Sequence, residues 1–303
     1  MNNDKPVWGL DLGGTKIEGV ILESAYNINV LERMRIPTEG DKGYQHVVGQ
    51  IKSIVDQMSA KTGMVPASIG LGAPGVLDPD TQTMKNCNST SLNGKPLKKD
   101  LEEVLGMPVK MANDANCFAV AETCLGIVKD KVPAAQVVFG VIMGTGVGGG
   151  LVVNGKALYG RHGIAGEWGH NFLDASGGEC YCGKTGCVET MISGSGLQRY
   201  YMTQTGEKKT MKEIVHLAKE GSDEAATKTM RRLVQYFGRG IANVINILDP
   251  DAIVLGGGLG NIDLLYTDGV EEVKKYLFNH TLKTSFLKPK LGDSAGVFGA
   301  ALL

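Results

Sequence analysis

The chain is expected to be an α/β protein made of two copies of one strand–turn–strand unit, with a cleft between the halves. Three observations lead there. Apolar, strand-like runs alternate with segments of helical spacing along the 303 residues. Glycine, 43 residues in all, concentrates behind three of those runs, at 9–16 (GLDLGGTK), 140–150 (GVIMGTGVGGG) and 253–261 (IVLGGGLGN). The first two clusters read alike, because in each a strand is followed by a glycine turn and then by a second strand rather than a helix.

Taken in order, residues 7–12 form a strand, Gly13-Gly14-Thr15-Lys16 a turn and 17–22 the returning strand. A third strand follows at 30–36. Residues 44–61 place Val47, Val48, Ile51, Ile54, Val55 and Met58 at helical spacing. A short strand at 69–73 stops at Pro74-Gly75, and a helix at 97–105 stops at Gly106. The strand at 109–112 runs into Asn113-Asp114 and a helix at 115–125, so Asp114 lies beside a helix N-terminus. The hairpin pattern returns with strand 137–143, turn 144–148 and strand 149–153. Helices are read at 195–205, 211–219 and 223–248, a buried strand at 252–255 and a closing apolar helix at 297–303.

Glycine turns of this kind can offer backbone N–H groups to phosphate oxygens, where any Cβ would hold the phosphate away. Neither is a Walker A loop, since GxxxxGK[ST] is absent. Asp11, at the strand end beside the first turn, is a carboxylate able to hold Mg²⁺ directly or through water, and Thr15 adds a hydroxyl.

The segment 167–189, EWGHNFLDASGGECYCGKTGCVE, is a loop with its own chemistry. His170, Cys180, Cys182 and Cys187 supply one imidazole and three thiolates, a set suited to a tetrahedral structural Zn²⁺. Gly183 and Gly186 permit the reversal that returns Cys187 to Cys180 and Cys182. Glu167 and Glu189 flank the ligands, so a metal here would fix both carboxylates. Cys87, Cys117 and Cys124 read as small core residues.

Composition narrows the class. A formal net charge of −1 without a basic run gives no electrostatic footprint for nucleic acid. No apolar run approaches the roughly 18 residues of a membrane span. The start, MNNDKPVWGLDLGG, lacks the pattern of a signal peptide, so a cytoplasmic protein is expected.

DLGGTK, GAPG (72–75), NDAN (113–116), GTGVGGG, EWGH and CYCGKTGCVE occur in the order of the ROK family, which the chain resembles over nearly its whole length. The resemblance implies the actin-like ATPase fold, ribonuclease H-like, with duplicated domains around a central cleft and a zinc-binding loop. Its expected division is a smaller domain of 1–113 plus 290–303 and a larger one of 114–289 carrying that loop. It implies an ATP-dependent hexose kinase using ATP, Mg²⁺ and structural Zn²⁺, with Asp114 as the general base toward the 6-hydroxyl. Asp11, Gly13, Gly14, Thr15 and Lys16 would meet metal and phosphates, joined by Gly144, Thr145 and Gly146, while Gly256, Gly257 and Gly258 would let the nucleotide approach. Sugar contacts would come from the Gly75 backbone, Asn88, Asn113, Asp114, Glu167, His170 and Glu189. Bound to zinc through one ring nitrogen, His170 could donate from the other to a sugar oxygen or an orienting carboxylate.

N-acetylglucosamine and glucose are the expected substrates. The family also contains fructose and N-acetylmannosamine kinases. A catalytically silent sugar sensor and a zinc-stabilised ATPase with a protein client stand as alternatives. ROK repressors carry a DNA-binding winged helix ahead of DLGGTK, and with ten residues before Asp11 that half of the family is disfavoured and an enzyme expected. A homodimer is expected from the habit of the family.

Overall fold

The structure, a computed structural model, describes residues 5–87 and 89–303. Asn88 therefore lies outside the described residues. The chain divides into two compact units, the first comprising Met1–Ala134, Gly150–Ala165 and Lys290–Leu303, the second Ala135–Gly149 and Gly166–Pro289. This division differs from the expected break after 113. The helix that begins at Asp114, and the return at 150–165, belong with the first unit.

In the first unit β1 (Val7–Leu12), β2 (Lys16–Ser24) and β3 (Asn27–Pro37) form an antiparallel meander. Next come α1 (Tyr44–Thr62), β4 (Ile69–Ala73), the small pair β5 (Val76–Leu77) and β6 (Met84–Lys85), α2 (Leu97–Leu105), β7 (Val109–Asn113), α3 (Asp114–Cys124) and α4 (Ile127–Lys131). β4 and β7 add in parallel to β1, giving the order β3-β2-β1-β4-β7. The six apolar residues expected on one face of α1 are its buried residues, and Gly63 closes that helix in the left-handed conformation.

The second unit opens with β8 (Val137–Met143), and β9 (Val147–Val153) passes from it into the first unit, where its end pairs with β10 (Lys156–Ala157). After the loop come α5 (Val188–Ile192), α6 (Gly194–Thr205), α7 (Met211–Glu220), α8 (Glu224–Leu248), β11 (Ala252–Gly256), α9 (Asp268–Lys274) and β12 (Ser285–Leu287). β11 lies parallel to both β8 and β12, in the order β10-β9-β8-β11-β12. That repeats the first sheet, a meander on one side and two added parallel strands on the other. The duplication expected from the two glycine hairpins is thus a duplication of whole sheets.

The chain closes with α10 (Ala295–Ala301) in the first unit, packed on α3, β1 and β4. The approach to α3 is close, since a Cβ on Gly299 would stand 1.8 Å from the Cys117 carbonyl oxygen. Cys117 is fully buried in that contact and Cys87 is buried elsewhere in the unit, while Cys124 is half-buried. No helix among the described residues is long and apolar enough to cross a membrane.

Candidate active site

In the first unit two carboxylates come together at strand ends. Asp11 lies near the end of β1, opposite Glu18 of β2 and Gly72 of β4. Asp114 is the first residue of α3, directly after β7. The cap of α3 is the preceding residue, Asn113, whose Oδ1 accepts from the Asn116 N–H at 2.7 Å. Asp114 Oδ1 accepts from the Ala115 N–H at 2.8 Å. An N-cap role for Asp114 would compete with chemistry. Asn113 takes that role, and the Asp114 side chain stays exposed to solvent.

Both carboxyls hold their protons more tightly than usual. Burial first, then the Asp114 charge and Glu18, push Asp11 up to about 6, with Lys16 pulling the other way. Asp114 is raised by the density of protein around it, against the lowering effect of its backbone hydrogen bonds. A pair of mutually repelling carboxylates is a natural seat for a divalent cation, which would lower both. Thr38 braces the first turn, donating from its backbone N–H to the Thr15 carbonyl at 3.0 Å and from Oγ1 to the Gly13 carbonyl at 2.7 Å. Gly14, Thr15 and Lys16 are exposed, and Lys16 reaches Glu18 at 3.7 Å. Gly75 spends its N–H on the Ala73 carbonyl at 2.9 Å, leaving its own carbonyl as the polar group.

The second unit holds a cavity of about 510 Å³. Gly144 and Thr145 of the β8–β9 turn, Gly194 and Ser195 of α6, and Gly258 all line it. The turn is tied to the start of α6, for the Gly194 N–H donates to the Gly144 carbonyl at 2.7 Å. A helix N-terminus beside a glycine turn favours an anion. Met211 and Val215 of α7 and, from the turn after β11, Leu259 and Ile262 also line the cavity and give it apolar walls. Sequence reasoning missed these walls. Gly256 ends β11 in register with Ile142, and Gly257 takes a left-handed turn with φ 75° in which a Cβ would strike the Met143 carbonyl at 2.3 Å. Of the three, Gly258 lines the cavity and the other two shape the turn.

The loop expected to bind zinc is in the same unit. One ligand atom from each of His170, Cys180, Cys182 and Cys187 lies within 4.8 Å of all the others. Cys182 and Cys187 sulfurs stand 3.7 Å apart, and His170 Nδ1 is 3.6 Å from Cys180 Sγ. Zn–S bonds of about 2.3 Å in a tetrahedron put sulfurs about 3.8 Å apart, so the set fits zinc. Gly186 enables the reversal with φ 73°, and its N–H donates to the Gly178 carbonyl at 2.8 Å.

His170 Nε2 lies 3.0 Å from the Tyr181 hydroxyl, with the rings edge-on at 5.1 Å. The nitrogen expected to serve a sugar or a carboxylate thus meets a phenol, carried between two of the cysteines. Glu167 opens the 3₁₀ turn that carries His170. Between them Trp168 is anchored, its Nε1–H donating to the Gly148 carbonyl at 3.1 Å and its ring edge-on to Phe139 at 5.9 Å. Glu189, in the first turn of α5, accepts from the Val147 N–H at 3.0 Å. Both carboxylate-bearing segments are therefore fastened to the β8–β9 hairpin that carries the second glycine turn.

The model of the ROK family matches residues 7–303. The chain belongs to the ROK family. It is 39% identical over 306 aligned positions to the N-acetyl-D-glucosamine kinases of Vibrio atlanticus and Vibrio cholerae, covering 98% of this chain and 98% of each relative. Among solved structures it is similar to the ROK hexokinase of Thermus thermophilus, with a TM-score of 0.88 and 31% identity over 98% of this chain and 97% of that one. A ROK family glucokinase from Streptomyces griseus, solved with glucose and AMPPNP, is 28% identical with a TM-score of 0.75, covering 98% of each chain. These neighbours and the repeated sheets fit the actin-like ATPase fold.

Proposed function

We propose that this ROK family member is an ATP-dependent sugar kinase that transfers the γ-phosphate of ATP to the 6-hydroxyl of N-acetyl-D-glucosamine, with Asp114 as general base. Asp114 carries this reading: a solvent-open carboxylate of raised pKa at the first position of α3, released from capping by Asn113. It takes the proton from the sugar hydroxyl as the O6–phosphorus bond forms and the bond from phosphorus to the ADP oxygen breaks. Asp11 would hold Mg²⁺, which neutralises phosphate charge when bound.

In the first unit we assign the Gly75 carbonyl, Asn113 and Asp114 to the sugar, together with Asn88. Asn113 can offer its amide N–H groups, while its Oδ1 already accepts from the Asn116 N–H at the cap. In the second we assign Glu167, His170 and Glu189 to the sugar. Gly144, Thr145 and Gly146, with the start of α6, receive the phosphates, and the base lies between α7 and the 258–262 turn. Gly13 to Lys16 are the counterpart turn for the phosphates. His170, Cys180, Cys182 and Cys187 would hold a structural zinc that fixes Glu167 and Glu189. With Nδ1 on the metal, His170 carries its proton on Nε2, which meets the Tyr181 hydroxyl in this structure and would turn to the sugar when it binds.

N-acetyl-D-glucosamine is placed first because the 39%-identical relatives carry that name; glucose stands second on the named glucokinase. ADP release with glucose, N-acetylglucosamine, N-acetylmannosamine and fructose, followed by ³¹P NMR of the product, tests this. N-acetylglucosamine 6-phosphate from the best substrate supports the proposal. Folded, zinc-loaded protein that turns over none of them refutes it and revives the silent sensor. A homodimer belongs to the same proposal and is checked by sedimentation.

A further inference from the structure

We propose that Tyr181 is a positioning residue of the sugar site, whose hydroxyl holds His170 Nε2 until a sugar hydroxyl takes its place. This rests on the kinase reading, in which His170 uses one ring nitrogen for metal and the other for sugar. The two nitrogens already face different partners. Nδ1 lies 3.6 Å from Cys180 Sγ, inside the cluster, whereas Nε2 lies 3.0 Å from the Tyr181 hydroxyl. A metal-bound histidine needs a partner on its outer nitrogen to keep the ring turned toward the metal. Tyr181 supplies that partner here, and the sugar supplies it once bound.

Tyr181 is fixed in its backbone and loose in its side chain. It stands between Cys180 and Cys182 in a turn closed by the Gly183 N–H, which donates to the Cys180 carbonyl at 3.0 Å. The residue is nevertheless 77% exposed, and the contact with His170 is the one hydrogen bond of its hydroxyl among the described residues. A ring standing in water has little apolar burial to lose, so moving it aside costs chiefly that single bond.

The neighbours of the hydroxyl point the same way. The charges of Glu189 and Glu167 both reach the phenol, so it lies among the three side chains of this unit assigned to the sugar. A phenol, like a sugar hydroxyl, can accept one N–H and donate its own proton. Tyr181 thus presents to His170 the same chemistry as the ligand that displaces it.

The test compares wild type with Tyr181→Phe, which keeps the ring and removes only the hydroxyl. Zinc affinity is measured by competition with a chromogenic chelator, without sugar and at saturating N-acetylglucosamine or glucose, whichever binds better. Sugar affinity of the zinc-loaded proteins is measured by calorimetry. Without sugar the variant is expected to hold zinc about tenfold more weakly, as loss of an outer partner of a metal-bound histidine does. With sugar bound, the two proteins should hold zinc equally. Linkage then makes sugar bind the zinc-loaded variant about tenfold more tightly, lowering KM while kcat stays within about twofold. A merely structural tyrosine weakens zinc by the same factor with and without sugar, and that result overturns the exchange. Equal zinc affinity without sugar overturns it too, as does weaker sugar binding by the variant, which would make the hydroxyl a sugar contact. Each of these leaves the kinase standing. Zinc-loaded wild type that binds neither sugar overturns the kinase reading and the exchange together, and protein that takes up no zinc overturns the exchange with the zinc assignment.

Discussion

Gly146→Ala is expected to damage sugar handling while sparing the fold. A Cβ at Gly146 would stand 2.5 Å from Glu189 Oε2, roughly 1 Å inside ordinary contact, and the next nearest atom, the Glu189 carboxyl carbon, is at 3.4 Å. The obstacle is the end of a flexible side chain, so the carboxylate swings aside and the backbone stays. Lost with it is the hydrogen bond from the Val147 N–H at 3.0 Å. Bonds to charged groups contribute about 1.5–3 kcal/mol. If Glu189 serves the sugar, losing its position should lower kcat/KM for the sugar by about 10–150-fold, at about 1.4 kcal/mol per tenfold. At Gly144 a Cβ meets nothing within 4 Å, yet this residue lines the cavity that the proposal assigns to the nucleotide. Gly144→Ala should therefore raise the KM for ATP and leave that for the sugar. Steady-state kinetics with each substrate varied, beside thermal melts, separates the two. A folded Gly146→Ala enzyme within about twofold of wild type toward the sugar would refute the reasoning.

Other expectations follow from the same geometry. Chelation should remove one zinc per chain by elemental analysis and lower both Tm and sugar kcat/KM, with Cys182→Ser giving the same result; full activity from metal-free protein contradicts the zinc assignment. Because a cation and a general base both require ionised carboxyls, kcat/KM should fall as pH drops through about 6, the value to which Asp11 is raised, and Asp114 is raised in the same direction. The folded state binds more protons than the unfolded one between about pH 4 and 6, so Asp11 reduces stability as pH rises across that window. Asp11→Asn should accordingly melt higher than wild type at pH 7 while losing activity. Gly299→Ala, whose Cβ would overlap the Cys117 carbonyl, should cost about 1–3 kcal/mol in a urea melt by forcing α10 off α3.

Much of this was legible in the residues because the signals are local. The helix at 97–105 coincides with α2, since leucines open and close it and Gly106 stops it in the left-handed conformation. The cluster of His170, Cys180, Cys182 and Cys187 was legible for the same reason, since all four residues and the turn glycines lie in the one segment 167–189. Elements without a pattern of their own were not. α5 has five residues and β12 three, too short for any period. Nor could Met211 and Val215 be told from an ordinary amphipathic face, because only packing turns them toward a cavity. The division at Asp114 placed α3 in the wrong company for a related reason. Its partner is α10, far away in sequence, and no local signal in 113–125 announces that contact.

The most direct test of the central claim is the turnover of Asp114→Asn with N-acetylglucosamine and Mg²⁺-ATP. General-base catalysis predicts a kcat lower by about 10²–10⁴-fold. The KM values for sugar and ATP should stay close to wild type, because the amide keeps the shape of the side chain. A folded Asp114→Asn protein whose kcat is within tenfold of wild type would contradict the assignment and move the base elsewhere.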